Sequence, residues 1–251
     1  MLNEPFASGK SLLHRLDPRL RVLAATLLSV IVALSFQFTV LTAALAAALA
    51  LVTAGRLNAA EVVKRMLIVN GFVLLLWIIL PLTFPGEVVS AWGPVKIYRP
   101  GVELSARITL KSNCIFLLLI ALIATMPFAT LGHSLHKMGL PDKLVFLLLM
   151  SYRYVFVMEQ EYHRLIRAAK IRGFQPATNR HTYRTYAYVV GMMFVRAADR
   201  AERVYQAMRC RGFKDRFHSL RQFRASMVDA AFAAFSVMLA GGLIYFEWLS
   251  T

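Results

Sequence analysis

VLAATLLSVIVALSFQFTVLTAALAAALALVTAG, residues 22–55, carries no charged side chain, and its reading decides the fold class. It is too long for one bilayer crossing, for which about 20 apolar residues suffice. A break near Gln37 divides it into two helices joined by a tight turn, which puts Arg21 and Arg56 on the same side of a membrane. Residues 43–50 are nearly all small, the composition that lets helices in lipid approach closely.

Outward from this pair the chain continues in the same style. Upstream, SLLHRLDPRLR (11–21) is basic, with Pro18 suited to a first helical turn and Asp17 to its cap. The opening residues, which include Glu4 and Asp17, do not read as a cleavable signal peptide. Downstream, 57–65 reads as a short polar connector with Glu61, Lys64 and Arg65. Residues 66–85 form a third uncharged span, with Asn70 inside it and Pro81 near its end. Residues 86–107 read as irregular, with turns at Gly86, Gly93-Pro94 and Pro100-Gly101 and interfacial anchors at Trp92 and Tyr98. A fourth span covers 112 to about 126, preceded by Arg107 and Lys111. A fifth covers 227–248, with Asp229 and Glu247 near its ends and Trp248 at the far interface.

Composition agrees with a polytopic membrane protein. Hydrophobic residues make up 58% of the chain and mean hydropathy is +0.57, values foreign to a soluble globule. The formal charge of +16 is explained by membrane topology before nucleic acid, because the basic residues flank apolar spans. With the N-terminus inside, five spans leave 25 Lys and Arg on the inner side and 4 on the outer. A sixth crossing at 144–156 would move the last basic block outside and destroy that bias. Cys114 lies in an apolar run and Cys210 in a basic helix, so they form no disulfide framework and suit a reducing cytosolic face.

Between Pro127 and Arg224 lie eighteen Lys and Arg against six Asp and Glu. The apolar stretches in this block, 144–150 and 186–195, are shorter than a bilayer requires and read as buried faces of cytosolic amphipathic helices. Gly139-Leu140-Pro141-Asp142 ends one helix and starts another. The block also contains a sequence written twice: RLIRAAKIRGF (164–174) and RVYQAMRCRGF (203–213), separated by a loop at 175–182. Arg164, Ala168, Arg172, Gly173 and Phe174 align with Arg203, Ala207, Arg211, Gly212 and Phe213.

In each copy Arg, Ala and Arg recur every four residues, on one helix face. The Gly suits a left-handed residue that stops the helix. Arg and Phe are common interface anchors, so each copy reads as a plug for a groove on another protein. The alternative is a pair of basic helix ends lying on the phospholipid surface. Two copies are too few for a solenoid, which needs about three.

No catalytic constellation accompanies these features. There is no phosphate-cradling Gly loop with Lys-Ser/Thr, so the chain is not expected to hydrolyse ATP. His133 and His136 share a helix face, but no Cys or carboxylate near them in sequence completes a metal site. Ionisable residues are nearly absent from the span centres, where a self-contained pump or carrier needs them. A missing substrate site beside a large basic cytosolic module points to a coupler. The rival reading is a membrane-anchored basic scaffold for anionic lipid or another protein, whose binding falls steeply with salt.

The motifs resemble the transmembrane coupling (T) component of energy-coupling-factor transporters, ABC-type importers of vitamins and of cobalt or nickel. The hallmark of that family is two Ala-Arg-Gly-like motifs in coupling helices. Here they read Ile171-Arg172-Gly173 and Cys210-Arg211-Gly212, keeping Arg-Gly and departing at the first residue. Leu16-Asp17-Pro18-Arg19 is similar to the family's N-terminal signature, and the likeness covers nearly the whole chain. GMMFVR (191–196), RAERV (200–204) and Ala207-Met208 look most like the cobalt-transport branch.

The resemblance implies that each Arg docks on one of two ATP-binding-cassette ATPase subunits. It also implies a separate substrate-binding membrane protein. It brings no cofactor, no metal site and no nucleic acid, and membrane lipid as surroundings. The expected fold is an all-α integral membrane protein with about five transmembrane helices plus a cytosolic module of amphipathic coupling helices. The expected division is 1–126, a membrane region with four spans; 127–226, the coupling module; and 227–251, the last span. The chain is expected in the cell inner membrane, with its N-terminus cytoplasmic and its C-terminus outside.

Overall fold

The computed structural model describes residues 6, 9, 11–92, 95–213 and 227–249. In chain order the elements are α1 (Leu12–Arg15), α2 (Pro18–Leu34), α3 (Phe38–Ala54), α4 (Ala59–Thr83), β1 (Val88–Trp92), β2 (Val95–Tyr98), α5 (Arg99–Leu122), α6 (Phe128–Lys137), α7 (Asp142–Ile171), α8 (Arg180–Cys210) and α9 (Met227–Leu249). They fall into two compact units, one within Glu4–Leu131 and Gln222–Thr251, the other within Gly132–Arg221.

The first unit is a helical membrane bundle. α5 is its centre, packed against α2, α3 and α4, while α9 lies against α2 and α3. Ala25, Ala48, Cys114 and Ala121 have no exposed surface. Small side chains at these seams let the backbones close in, which replaces the hydrophobic drive that lipid removes. The five expected spans are all present as helices. α4, α5 and α9 are long and apolar enough to cross a membrane by length and composition. At 17 residues each, α2 and α3 sit at the short end of what a bilayer needs. Gln37 caps the start of α3, so the uncharged run divides where its sequence predicts. Asp17 accepts the Arg19 N–H at 2.9 Å and Pro18 occupies the first turn of α2.

Two boundaries differ from expectation. Residues 57–65 are not a connector: Asn58 accepts the Ala60 N–H at 3.1 Å and starts α4, so Glu61, Lys64 and Arg65 are helical. Residues 86–107 are not irregular. β1 and β2 pair antiparallel, from Val88 opposite Tyr98 to Trp92 opposite Val95, and α5 begins at Arg99. Pro100 fits the first turn, where its missing N–H has no partner to lose. Gly101 lies against α4, where a Cβ would come within 2.4 Å of the Leu80 carbonyl oxygen. The expected turn at Gly93-Pro94 lies outside the described residues.

Several polar groups inside this bundle are paired across helices, while Ser29 Oγ and Arg107 Nε are buried without a hydrogen-bond partner among the described residues. Arg21, 2% exposed, donates from Nε to the Leu122 carbonyl at 3.0 Å and from Nη2 to Thr125. Asp229 accepts the Asp17 N–H at 2.7 Å, joining the start of α9 to the start of α2. Asn70 and Asn113 form a reciprocal amide pair between α4 and α5, each Nδ2 donating to the other's Oδ1 at 3.0 Å.

The second unit is built on α7 and α8, two long helices joined by a short loop. Gly139, at φ +99°, ends α6, and α7 starts at Asp142, as the breaker sequence predicts. The apolar stretches 144–150 and 186–195 are not the buried faces expected of them. Val145 and Val189 are buried, but Leu144, Leu147, Tyr188 and Phe194 are exposed. A lone pair of helices buries only the narrow seam along which the two meet.

Candidate functional site

The two copies of the repeat fold into the same local structure. Arg172 caps α7 and Arg211 caps α8, and in each case the next residue turns left-handed, Gly173 at φ +84° and Gly212 at φ +74°. Two backbone bonds close each end. Gly173 N–H reaches the Lys170 carbonyl at 3.0 Å and Phe174 N–H the Ala169 carbonyl at 3.1 Å. Gly212 N–H reaches Arg209 at 3.0 Å and Phe213 N–H reaches Met208 at 3.0 Å. This is the Schellman arrangement, which satisfies carbonyls that a helix end otherwise leaves bare. It also fixes the backbone of the arginine, which projects at a rigid corner.

Around this shared geometry the tips differ. Phe174 is buried, its ring 5.7 Å from Tyr186 and 6.3 Å from His181. Phe213 is half-buried and packs on Phe146 near the start of α7, at 5.5 Å. Ala168 and Arg172 line an open groove of about 620 Å³ between α7 and α8, walled on the α8 side by Tyr188, Val189 and Met192. Ile171 is 87% exposed, and Arg172, Ala207, Cys210 and Arg211 are exposed as well. The tips therefore present cationic, solvent-facing corners on stems of small residues.

The supporting arginines part company. Arg203 is exposed, whereas Arg164 reaches back to Glu161 at 3.3 Å. Glu161 is buried at 3% exposure and gathers two further guanidiniums from α8, Arg196 on Oε1 and Arg200 at 3.8 Å from Oε2. The Arg196 hydrogen bond, with the fields of Arg164, Arg196 and Arg200, holds its carboxyl below the usual glutamate range against the opposing effect of burial. Sequence reasoning passed over Glu161. The offset of the repeat contains the signal, because Glu161 lies three residues before the first copy and Arg200 three residues before the second.

His133 and His136 do share α6, and burial followed by the neighbouring His136 pushes the His133 imidazole down. The expectation that no carboxylate stands near them is corrected. The turn at Gly139 folds the chain back so that Asp142 contacts His136 Nδ1 at 2.9 Å. Among the described residues, no three His, Cys, Asp or Glu side chains converge as metal ligands.

Comparison with known proteins extends these observations. Residues 9–220 match the family model described as cobalt transport protein, CbiQ. The energy-coupling factor transporter transmembrane protein EcfT of Leuconostoc gelidum subsp. gasicomitatum is 27% identical over 97% of this chain and 96% of its own length. The EcfT of Bacillus subtilis is 27% identical over 85% of each chain. The cobalt transport protein CbiQ of Rhodobacter capsulatus is 27% identical over 45% of this chain and 46% of its own. The membrane bundle, the doubled Arg-Gly corner and a family match spanning most of the sequence lead to one conclusion: this chain belongs to the cobalt transport protein (CbiQ) family.

Proposed function

We propose that this chain is the coupling (T) subunit of an energy-coupling-factor importer, carrying motion from two ATPase subunits to a separate membrane protein that binds the cargo. The observation that carries this reading is the pair of identically built corners, each with an exposed Arg held by a Schellman turn. One corner serves one subunit of an ATPase pair, which accounts for the repetition. Arg suits the role because it keeps its charge and offers five donors to carboxylates and carbonyls. Ala168, Ala207, Phe174 and Phe213 shape the corners, and Ile171 and Cys210 lie on the exposed last turn.

In this reading ATP is hydrolysed by the partners, and residues 127–226 form the cytosolic coupling module. The N-terminus is cytoplasmic, the C-terminus lies outside, and the membrane is the inner one. The cargo in this reading is cobalt or nickel rather than a vitamin, and the family model and the CbiQ relative, both described as cobalt transport protein, support cobalt. The test is co-purification with the ATPase pair, followed by cobalt(II) uptake, for wild type and the Arg172→Ala/Arg211→Ala double variant. An interface anchor contributes about 2 kcal/mol, so each substitution weakens docking by about thirtyfold. Undiminished assembly and uptake in the double variant would overturn the proposal. A salt-sensitive loss spread over many lysines and arginines would instead support the scaffold reading.

A further inference from the structure

The offset that carries Arg172 onto Arg211 also carries Glu161 onto Arg200, and these two equivalent residues meet across the helix pair at 3.8 Å. Each lies eleven positions before its own corner, which is about 17 Å of helix at 1.5 Å per residue. α7 and α8 run antiparallel: Phe146 near the start of α7 meets Phe213 beyond the end of α8, and Phe174 beyond the end of α7 meets Tyr186 near the start of α8. The corners therefore lie at opposite ends of the pair, with the Glu161 cluster midway between them.

This midpoint is polar. Glu161 and Val145 are the buried side chains of α7, and Thr182 and Val189 those of α8. From the cluster toward Arg172 the two helices are parted by the open groove. Interdigitated apolar ridges would fix the angle between two helices. One carboxylate shared by several guanidiniums acts differently, because its two oxygens offer about four acceptor sites among which donors can redistribute as the angle changes. Such a contact holds position while leaving rotation free.

We propose that Glu161 is the pivot of the coupling unit, a positioning residue that pins α7 to α8 midway between the two corners so that displacement of one corner is delivered to the other. This rests on the coupling reading and names the residue on which that motion turns. Arg196 and Arg200 are its counter-charges on α8, and Arg164 steadies it from its own helix.

The test uses the whole complex in reconstituted vesicles and compares assembly, ATP hydrolysis and cobalt(II) uptake. Glu161→Gln keeps the shape and removes the charge. It is expected to retain co-purification and hydrolysis while uptake falls by about tenfold, the size of one lost charged hydrogen bond. Assembly, hydrolysis and uptake falling together, or all three unchanged, would overturn the pivot. Should Glu161→Gln fail to fold, the triple variant Glu161→Met/Arg196→Met/Arg200→Met separates stability from function, because apolar replacement of a buried ion cluster commonly preserves folding. Hydrolysis without uptake in the triple variant supports the pivot. Normal uptake, or failure to assemble, overturns it. A wild-type chain that binds no ATPase, or takes up no cobalt(II), fails the coupling reading itself and is told apart by that control.

Discussion

Replacing Gly173 by Ala isolates the backbone contribution to the first corner. An added Cβ would meet no atom within 4 Å, so the penalty comes only from holding an L-residue at φ +84°. That conformation costs about 1–2 kcal/mol. Two hydrogen bonds depend on it, from residue 173 to the Lys170 carbonyl and from Phe174 to the Ala169 carbonyl. A loss of that size multiplies the population of the opened turn by about 5–30. Hydrogen exchange of the amides at 173 and 174 in detergent should accelerate by the same factor, and ATPase affinity should fall by up to that amount as Arg172 loses its fixed direction.

Gly191→Ala is the control. It also adds a methyl into open space, but within α8 and without positive φ, where Ala gains about 0.5–1 kcal/mol over Gly. Gly173→Asn should fall between wild type and Ala, since Asn tolerates the left-handed region. Unchanged exchange at 173 and 174 in Gly173→Ala, or acceleration there by Gly191→Ala, would refute the reasoning.

Three further outcomes are expected. Gly101→Ala drives a methyl into the Leu80 carbonyl and the Pro81 Cα; overpacking of this kind costs about 1–3 kcal/mol, read as a lower thermal midpoint in detergent. Because the folded Glu161 carboxyl titrates below its ordinary value of 4.5, its stabilising effect is complete above that value and is lost as pH falls through the lower folded one. Acid titration of helical signal should show this component in wild type and lack it in Glu161→Gln. Thr125→Val leaves the Nη2 of buried Arg21 without its hydroxyl partner, a loss of about 1–3 kcal/mol that Thr125→Ser should largely restore.

What the sequence discloses follows the range of the physics. The break at Gln37 and the stops at Gly173 and Gly212 are local, set by charge, length and φ within a few residues, and all are readable from the chain alone. The start of α5 is hidden because Pro100-Gly101 looks like a turn; only the approach to the Leu80 backbone, from a distant segment, explains the glycine. Glu161 is hidden for the same reason, its strongest partner lying 35 residues away on another helix. The apolar runs at 144–150 and 186–195 mislead because hydrophobicity reports a need for cover without naming what supplies it.

The reciprocal amides of Asn70 and Asn113 have a mechanical consequence. Two bonds closing one small ring between α4 and α5 define a single axial register. Sliding either helix by one turn, about 5.4 Å, would part both bonds, leaving the Asn70 amide only its own-helix bond to the Met66 carbonyl. Tilting about the ring parts neither. The pair is a detent: it blocks pistoning of one helix past the other and lets them rock, so force arriving along either axis moves both as one strut.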